Sequence, residues 1–192
     1  MVSRRHAQCG HLLDGGVMPG DQDDVPYPVI AMPLVLNSVK LLVGGEGGVG
    51  KTSILYRYIK NDFTANMQMT IGVQLHTRTV VRDDGTRASL VFWDLSGQER
   101  FKFMLPNYCG GASGAFILFD MYEVDTLGKI EDWFKLFKSH LPKGSPIILV
   151  GTKKDLLSPE QVEQVNAAAL HWCQYFGCDN YLATSSKTGE NV

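Results

Sequence analysis

Residues 45–52 read GEGGVGKT, so that a run of glycines is followed at once by Lys51 and Thr52. The string fits the pattern G-x-x-x-x-G-K-[ST] and lies between an apolar run, VKLLV at 39–43, and a helical stretch at 53–60. Glycines let successive backbone N–H groups face a phosphate, and the N-terminus of the next helix adds partial positive charge. Such a lysine reaches the β- and γ-phosphates, and the threonine hydroxyl ligates Mg²⁺. A tight glycine turn alone does not explain the Lys-Thr pair, so the stretch predicts a nucleotide-phosphate site.

A second stretch, WDLSGQERF at 93–101, carries groups that suit the same chemistry. Asp94 ends an apolar strand, where a carboxylate can hold the coordination shell of Mg²⁺. Gly97 can bring its N–H to the γ-phosphate, and Gln98 can orient a water in line with that phosphate. Taken alone, Asp94 would equally be a solvated strand end, but the phosphate loop upstream favours the metal role.

The two stretches together resemble the Ras superfamily of small GTPases, and its Rab-like branch most closely. The resemblance covers about residues 37–192 and implies bound GTP or GDP with Mg²⁺ as cofactor. Thr70, in TIGV at 70–73, is similar to the family's first switch loop, which implies that it ligates Mg²⁺ and senses the γ-phosphate. Phe63 lies where the family places an aromatic ring against guanine, although taken alone it would be assigned to the core.

The segment GTKKD at 151–155 resembles the family's base-reading N-K-x-D motif, with Thr152 in place of asparagine. The resemblance implies that Asp155 accepts hydrogen bonds from guanine, a pairing that rejects the wrong base strongly, and that the Lys153 stem covers the ring. Threonine is shorter and has no amide donor, so we expect nucleotide to bind more weakly or to exchange faster. Some septation-type GTPases carry a similar T-K-x-D motif.

The last motif, TSSK at 184–187, resembles T-S-A-K, and the N–H of Ser186 would meet the guanine oxygen. From these motifs we predict catalytic roles for Gln98, Lys51 and Thr70, and metal ligands at Thr52, Thr70 and Asp94. The predicted nucleotide contacts are Gly45, Gly47, Gly48, Val49, Gly50, Lys51, Thr52, Ser53, Phe63, Thr70, Gly97, Thr152, Lys153, Asp155, Ser185, Ser186 and Lys187.

Apolar runs and helical stretches alternate along the chain, which predicts a mostly parallel sheet covered on both faces. The predicted strands are 39–43, 73–82, 88–94, 114–121, 146–155 and 181–184. A DDG turn at 83–85 predicts a hairpin between the second and third strands. Helices are expected to about residue 60, over 126–141, and from a capping box at 158–161 to about residue 176. The fold class is therefore α/β, and by resemblance a P-loop G-domain with a six-stranded sheet.

The chain divides into two predicted parts. Residues 1–36 hold four of the eight prolines and no helical or strand period, which predicts a flexible N-terminal extension. Residues 37–192 form the predicted G-domain. In the family a long C-terminal helix follows the segment that KTGENV resembles, so we expect either a truncated domain or one sheet face without its cover.

Composition excludes some classes of partner. A net charge of −2 gives no electrostatic footprint for nucleic acid. Four cysteines without a C-x-x-C pair fit a reducing compartment, so we expect a cytoplasmic protein. Membrane contact is expected only if the native C-terminus is lipidated, on the cytosolic face of membranes.

Other proteins are expected at the switch loops. By resemblance, Leu75, Trp93 and Tyr108 lie where Rab-like proteins carry an apolar triad that reads partners, with leucine replacing the usual phenylalanine. Effectors, GTPase-activating proteins and exchange factors are the implied partners, although ordinary packing accounts for the triad equally well.

The function that the resemblance implies is a molecular switch in signalling or trafficking. GTP with Mg²⁺ would hold the loops around Thr70 and Gly97, and hydrolysis would release them. No arginine is placed to complete the site, so we expect slow hydrolysis until an activating partner supplies one. Two alternatives stay open: a nucleotide-binding scaffold on this fold with little hydrolysis, and a P-loop ATPase.

Overall fold

The computed structural model describes residues 35–192, and the predicted N-terminal extension lies outside this range except for its last two residues. Within it, six strands form one sheet in the order β2-β3-β1-β4-β5-β6. Only β2 and β3 are antiparallel, and the other neighbours are parallel. The strands are β1 (Val35–Gly44), β2 (Val73–Val81), β3 (Arg87–Leu95), β4 (Gly114–Asp120), β5 (Ile147–Thr152) and β6 (Asn180–Ala183). The predicted α/β class and six-stranded, mostly parallel sheet are confirmed.

Four α-helices and three short 3₁₀ helices connect these strands in the described range. The α-helices are α1 (Lys51–Lys60), α2 (Pro106–Cys109), α3 (Ile130–His140) and α4 (Pro159–Phe176). The 3₁₀ helices are Glu99–Met104, Val124–Lys129 and Lys154–Leu156. None of these helices is both long and apolar enough to cross a bilayer.

The capping box predicted for α4 is present. The Ser158 hydroxyl accepts a hydrogen bond from the Gln161 N–H at 3.3 Å, and the Gln161 side chain accepts one from the Ser158 N–H at 2.8 Å. The helix ends at Gly177, which adopts a left-handed conformation with φ 67°.

The core has two parts, one on each face of the sheet. On one face, the α3 side chains Trp133, Phe134 and Phe137 pack with buried residues of β1 and β4. On the other face, Leu55 of α1 packs with Val43 and with residues of β3, β4 and β5. Packing on both faces therefore holds the strands in place. The loops that leave one edge of the sheet consequently start from fixed positions.

Three predicted boundaries are wrong by three or four residues. Strand β1 begins at Val35, four residues before the apolar run. Strand β5 ends at Thr152, since Lys153 has a positive φ of 59° that breaks the extended backbone. The helix predicted from residue 126 begins at Ile130, because the Thr126 hydroxyl donates to Glu123 O at 2.7 Å and accepts from the Asp120 N–H at 2.9 Å, which favours a 3₁₀ turn.

We predict that Gly44→Ala destabilises the fold. A Cβ at this position would collide with the Trp133 ring and lie 2.6 Å from Phe137 Cζ. Overpacking of this kind costs about 1–3 kcal/mol of unfolding free energy. Urea unfolding of the variant measures this cost. Gly128→Ala is the matched control because nothing lies within 4 Å of its Cβ position. Equal midpoints for the two variants would contradict the prediction.

Candidate functional site

A cavity of about 430 Å³ opens at the edge where the parallel strands end. Its wall is formed by the phosphate loop, by residues 63–70, and by the loops that follow β3, β5 and β6. The predicted site residues that line it are Gly47, Gly48, Gly50, Lys51, Thr52, Ser53, Phe63, Thr70, Gly97, Gln98, Thr152, Lys153, Asp155, Ser186 and Lys187. Gly45, Val49, Asp94 and Ser185 do not line it.

Those four residues lie behind the wall and support it. A Cβ at Gly45, whose φ is 138°, would collide with the Leu118 carbonyl. Val49 is buried in the core beneath the loop. The buried hydroxyl of Ser185 donates to Asp155 at 2.6 Å, which holds this carboxylate at the cavity.

Lys51 is buried at the start of α1 and bends back over the phosphate loop. Its ammonium donates to the carbonyls of Gly45 at 2.8 Å and Glu46 at 2.7 Å. Burial lowers the pKa of Lys51 to about 8, although the charges of Asp94 and Glu46 act in the opposite direction. The ammonium is thus held at the loop, in a place where additional negative charge would stabilise it.

Two hydroxyls meet the buried carboxylate of Asp94. Thr52 Oγ1 donates to Asp94 Oδ2 at 2.5 Å, and Thr70 Oγ1 lies 2.8 Å from Thr52 Oγ1 and 3.3 Å from the same carboxylate oxygen. Asp94 Oδ1 is buried with no hydrogen-bond partner among residues 35–192. Burial raises the pKa of Asp94 above its usual range, despite the hydrogen bonds it accepts. Two hydroxyls and a carboxylate are hard oxygen donors of the kind that Mg²⁺ binds, so this corner fits the ion.

The two loops that would sense a γ-phosphate are joined at the backbone of Thr70. Its carbonyl accepts hydrogen bonds from Gln98 Nε2 at 3.0 Å and Ser96 Oγ at 2.9 Å. The other end of the Gln98 amide accepts from Arg100 Nε at 3.0 Å. Both ends of this glutamine are therefore engaged by protein groups.

The predicted base-reading loops lie at the opposite end of the cavity. Thr152 is buried, and its hydroxyl lies 2.6 Å from Val49 O in the phosphate loop and 3.0 Å from Phe119 O. Thr152, which stands in place of the family's asparagine, therefore connects β5 to the phosphate loop. Lys153 forms an ion pair with the buried carboxylate of Asp120, which fixes its stem along the cavity wall.

Residues 40–192 match the Ras family. The chain belongs to this family. It is 38% identical over 161 residues to the Ras-related protein Rab-18-B of Danio rerio, which covers 82% of this chain and 75% of that protein. It is 36% identical over 156 residues to the GTP-binding protein ypt5 of Schizosaccharomyces pombe, with 80% and 72% covered. Against the Ras-related protein Rab-36 of Homo sapiens the identity is 40% over 154 residues, with 80% and 57% covered.

The protein is therefore a Rab-like small GTPase, a GTP-binding switch that acts in trafficking or signalling. Family membership decides against the P-loop ATPase alternative. It also identifies the chain as a GTP hydrolase, so the alternative of a scaffold with little hydrolysis is not favoured.

Three residues of this GTPase contribute to the site without having been predicted. Asp120 holds Lys153, and it could have been found as a second carboxylate at the end of an apolar strand. Arg57 of α1 donates to Ser186 O at 2.6 Å and to Lys187 O at 2.7 Å, so it holds the last base-reading loop. Glu46 contributes the carbonyl that binds Lys51. No local sequence signal marks the role of Arg57, whose partners are distant in sequence, and a backbone carbonyl such as that of Glu46 is not specified by residue type.

The predicted partner triad of the Rab-like protein forms a continuous surface. Leu75 pairs with Trp93 across β2 and β3 and is 56% exposed. The rings of Trp93 and Tyr108 lie 6.1 Å apart. Lys40 covers part of this surface, because its ammonium is 3.6 Å from the centre of the Trp93 ring.

We predict that Thr152→Val speeds nucleotide dissociation about three- to tenfold. The substitution keeps the side-chain shape but removes the hydroxyl that links β5 to Val49 O, a loss on the order of 1 kcal/mol. The dissociation rate of a fluorescent GDP analogue measures it. Thr79→Val, at an exposed position of β2, is the matched control. An unchanged rate in a folded variant would show that the link does not hold the nucleotide.

We also predict that GDP affinity falls as the pH rises above about 8. The pKa of buried Lys51 is lowered to about 8 in the nucleotide-free protein, and phosphate oxygens would raise it again. Binding above pH 8 must therefore take up a proton, and the affinity falls by up to about tenfold per pH unit. Titrations from pH 7 to 9.5, with calorimetry in two buffers of different protonation enthalpy, test this. A constant affinity with no proton uptake would contradict it.

Proposed function

We propose that the cavity binds GTP or GDP with Mg²⁺ held by Thr52 and Asp94, and also by Thr70 when GTP is bound. The observation that carries the proposal is the meeting of two hydroxyls at a buried carboxylate that keeps one oxygen without a partner. Bound Mg²⁺ would neutralise negative charge on the β- and γ-phosphates. The Asp94 carboxylate supplies negative charge that partly balances the charge of Mg²⁺, and the two hydroxyls supply neutral oxygen donors.

Lys51 binds the phosphates in this proposal. Its ammonium is already positioned at the loop by two carbonyls, so little reorganisation is needed when the β- and γ-phosphates arrive. The backbone N–H groups of the phosphate loop and the N-terminus of α1 act on the same phosphates.

Asp155 and Lys153 read the base. The Ser185 hydroxyl holds the Asp155 carboxylate, which would accept hydrogen bonds from the ring N–H and the amino group of guanine. Adenine cannot supply that pair of donors, so bound adenine would leave the Asp155 carboxylate without these hydrogen bonds, which disfavours ATP. Phe63 lines the cavity wall and would lie against the guanine ring.

Switching follows from the contacts at Thr70. Its hydroxyl faces the Mg²⁺ corner, while its carbonyl binds Gln98 and Ser96 of the second loop. The γ-phosphate would hold both loops, and its loss would release them together. The surface around Leu75, Trp93 and Tyr108 would then present a different shape to effectors, exchange factors and GTPase-activating proteins.

Hydrolysis requires Gln98 to orient a water beside the γ-phosphate. Because both ends of its amide are bound to Thr70 O and Arg100, the glutamine must exchange at least one contact before it acts. The Arg100 guanidinium is directed to Gln98 in this arrangement, so we propose slow intrinsic hydrolysis and an arginine supplied by an activating protein. We further propose a cytoplasmic protein that contacts the cytosolic face of membranes only if the native C-terminus is lipidated.

Gln98→Leu is expected to keep GTP and GDP binding and to lower the rate of GTP hydrolysis at least about tenfold, since leucine cannot orient water. Single-turnover hydrolysis and parallel titrations with GTP, GDP and ATP in the presence of Mg²⁺ measure both properties. Gln174→Leu, on the exposed face of α4, is the control. Equal hydrolysis by wild type and the Gln98 variant would refute the assigned role, and equal binding of GTP and ATP would refute the proposed base reading.

A further inference from the structure

Glu46, the second residue of the phosphate loop, has a carboxylate that the proposed nucleotide site does not use. The side chain is only 15% exposed, does not line the cavity, and contacts two lysines. Its carboxylate lies 3.1 Å from the ammonium of Lys102 and 3.9 Å from that of Lys129. Glu46 Oε1 is buried and has no hydrogen-bond partner among residues 35–192, so the two ammonium groups compensate its charge without hydrogen-bond geometry.

Lys102 lies in the 3₁₀ turn Glu99–Met104, which begins directly after Gln98. The side chain of Lys102 is 27% exposed, and its ammonium also contacts Glu99 Oε2 at 2.9 Å. Glu99 is 85% exposed, so solvent and salt screen that contact. Glu46 is therefore the better-shielded partner of Lys102.

Two backbone contacts place Glu46 between Lys51 and the loop that carries Gln98. Its carbonyl accepts a hydrogen bond from Lys51 at 2.7 Å. Its backbone also packs directly on Gly97, where an added Cβ would collide with the Glu46 carbonyl carbon. The phosphate loop and the loop that carries Gln98 thus touch at this residue through the main chain and through a charged side-chain pair.

We propose that Glu46 is a positioning residue for GTP hydrolysis, because its ion pair with Lys102 holds the turn behind Gln98 against the phosphate loop. This inference rests on the role proposed for Gln98. Without the pair, the turn is held by the Gly97 backbone contact and by the hydrogen bonds to Thr70, and Gln98 spends less time beside the γ-phosphate. The lysine also neutralises a carboxylate that the loop would otherwise present near the phosphates.

Substitutions of Glu46 and of Lys102 are expected to have different effects on hydrolysis and on nucleotide binding. Glu46→Gln removes the tether and a negative charge, so hydrolysis slows about fivefold while the GDP dissociation constant stays within about twofold. Lys102→Met removes the tether but leaves the carboxylate without its closer lysine, so it slows hydrolysis similarly and also weakens nucleotide binding about three- to tenfold. A pair that served only fold stability would not give this asymmetry.

The experiment is single-turnover hydrolysis of bound GTP at 20 °C, with thermal unfolding recorded for every variant. The set comprises wild type, Glu46→Gln, Lys102→Met and their double variant. Glu46→Asp, which keeps the charge, is expected to hydrolyse at close to the wild-type rate. Glu131→Gln removes the carboxylate of the exposed pair between Glu131 and Lys135 and is the matched control, expected to leave hydrolysis unchanged.

A second comparison tests whether Glu46 acts through Gln98. In a Gln98→Leu background, Glu46→Gln should slow hydrolysis no further, and the double variant of the ion pair should be no slower than the slower single variant. Additive losses in either comparison would overturn the proposal. If Glu46→Gln hydrolysed GTP at the wild-type rate, even with a lowered melting temperature, the proposal would also be overturned.

The outcomes separate this inference from the proposed function. If Gln98→Leu loses hydrolysis and Glu46→Gln does not, the positioning role is wrong and the role of Gln98 stands. If Gln98→Leu hydrolyses GTP like wild type, the proposed role of Gln98 fails first. Should Glu46→Gln fold poorly, Lys102→Met tests the same pair from its more exposed side.

Discussion

The carboxylate of Asp94, buried at the end of β3, constrains the arrangement around it. A charge removed from water is costly unless polar or oppositely charged groups compensate for it. Lys51, Thr52 and Thr70 provide that compensation, the first two from the start of α1 and the third from the loop before β2. Because one oxygen stays without a protein partner, the compensation among residues 35–192 is incomplete. The phosphate loop and the first switch loop therefore meet at the same point, where the proposed Mg²⁺ would complete the balance.

The parallel sheet makes this convergence possible. Its strands end at one edge, so loops that are far apart in sequence lie side by side, as in other open α/β sheets. The buried aromatic residues of α3 on one face and Leu55 of α1 on the other hold the strands in register. The site residues are consequently carried on loops at one edge of a sheet that is packed on both faces.

Much of the site could be predicted from the sequence because its chemistry is local. The spacing in GEGGVGKT and the residues of WDLSGQERF identify Lys51, Thr52, Asp94 and Gln98 without knowledge of the fold. Arg57 and Glu46 could not be found in this way, because their partners are distant in sequence and only the folded chain brings them together. The boundaries of β5 and α3 were missed for another reason: a positive φ at Lys153 and side-chain hydrogen bonds at Thr126 override the local pattern.

The single hydrogen of the Thr152 hydroxyl limits the hydrogen bonds that this residue can donate. It lies within hydrogen-bond distance of two carbonyl oxygens, one in the phosphate loop and one on β4, but a hydroxyl carries a single hydrogen. At any instant it can donate fully to only one of them. An asparagine amide carries two hydrogens and has no such restriction. In this chain the hydrogen bond to the phosphate loop therefore competes with the one to β4, and only the first joins the loop around the phosphates to the strand that leads to the base.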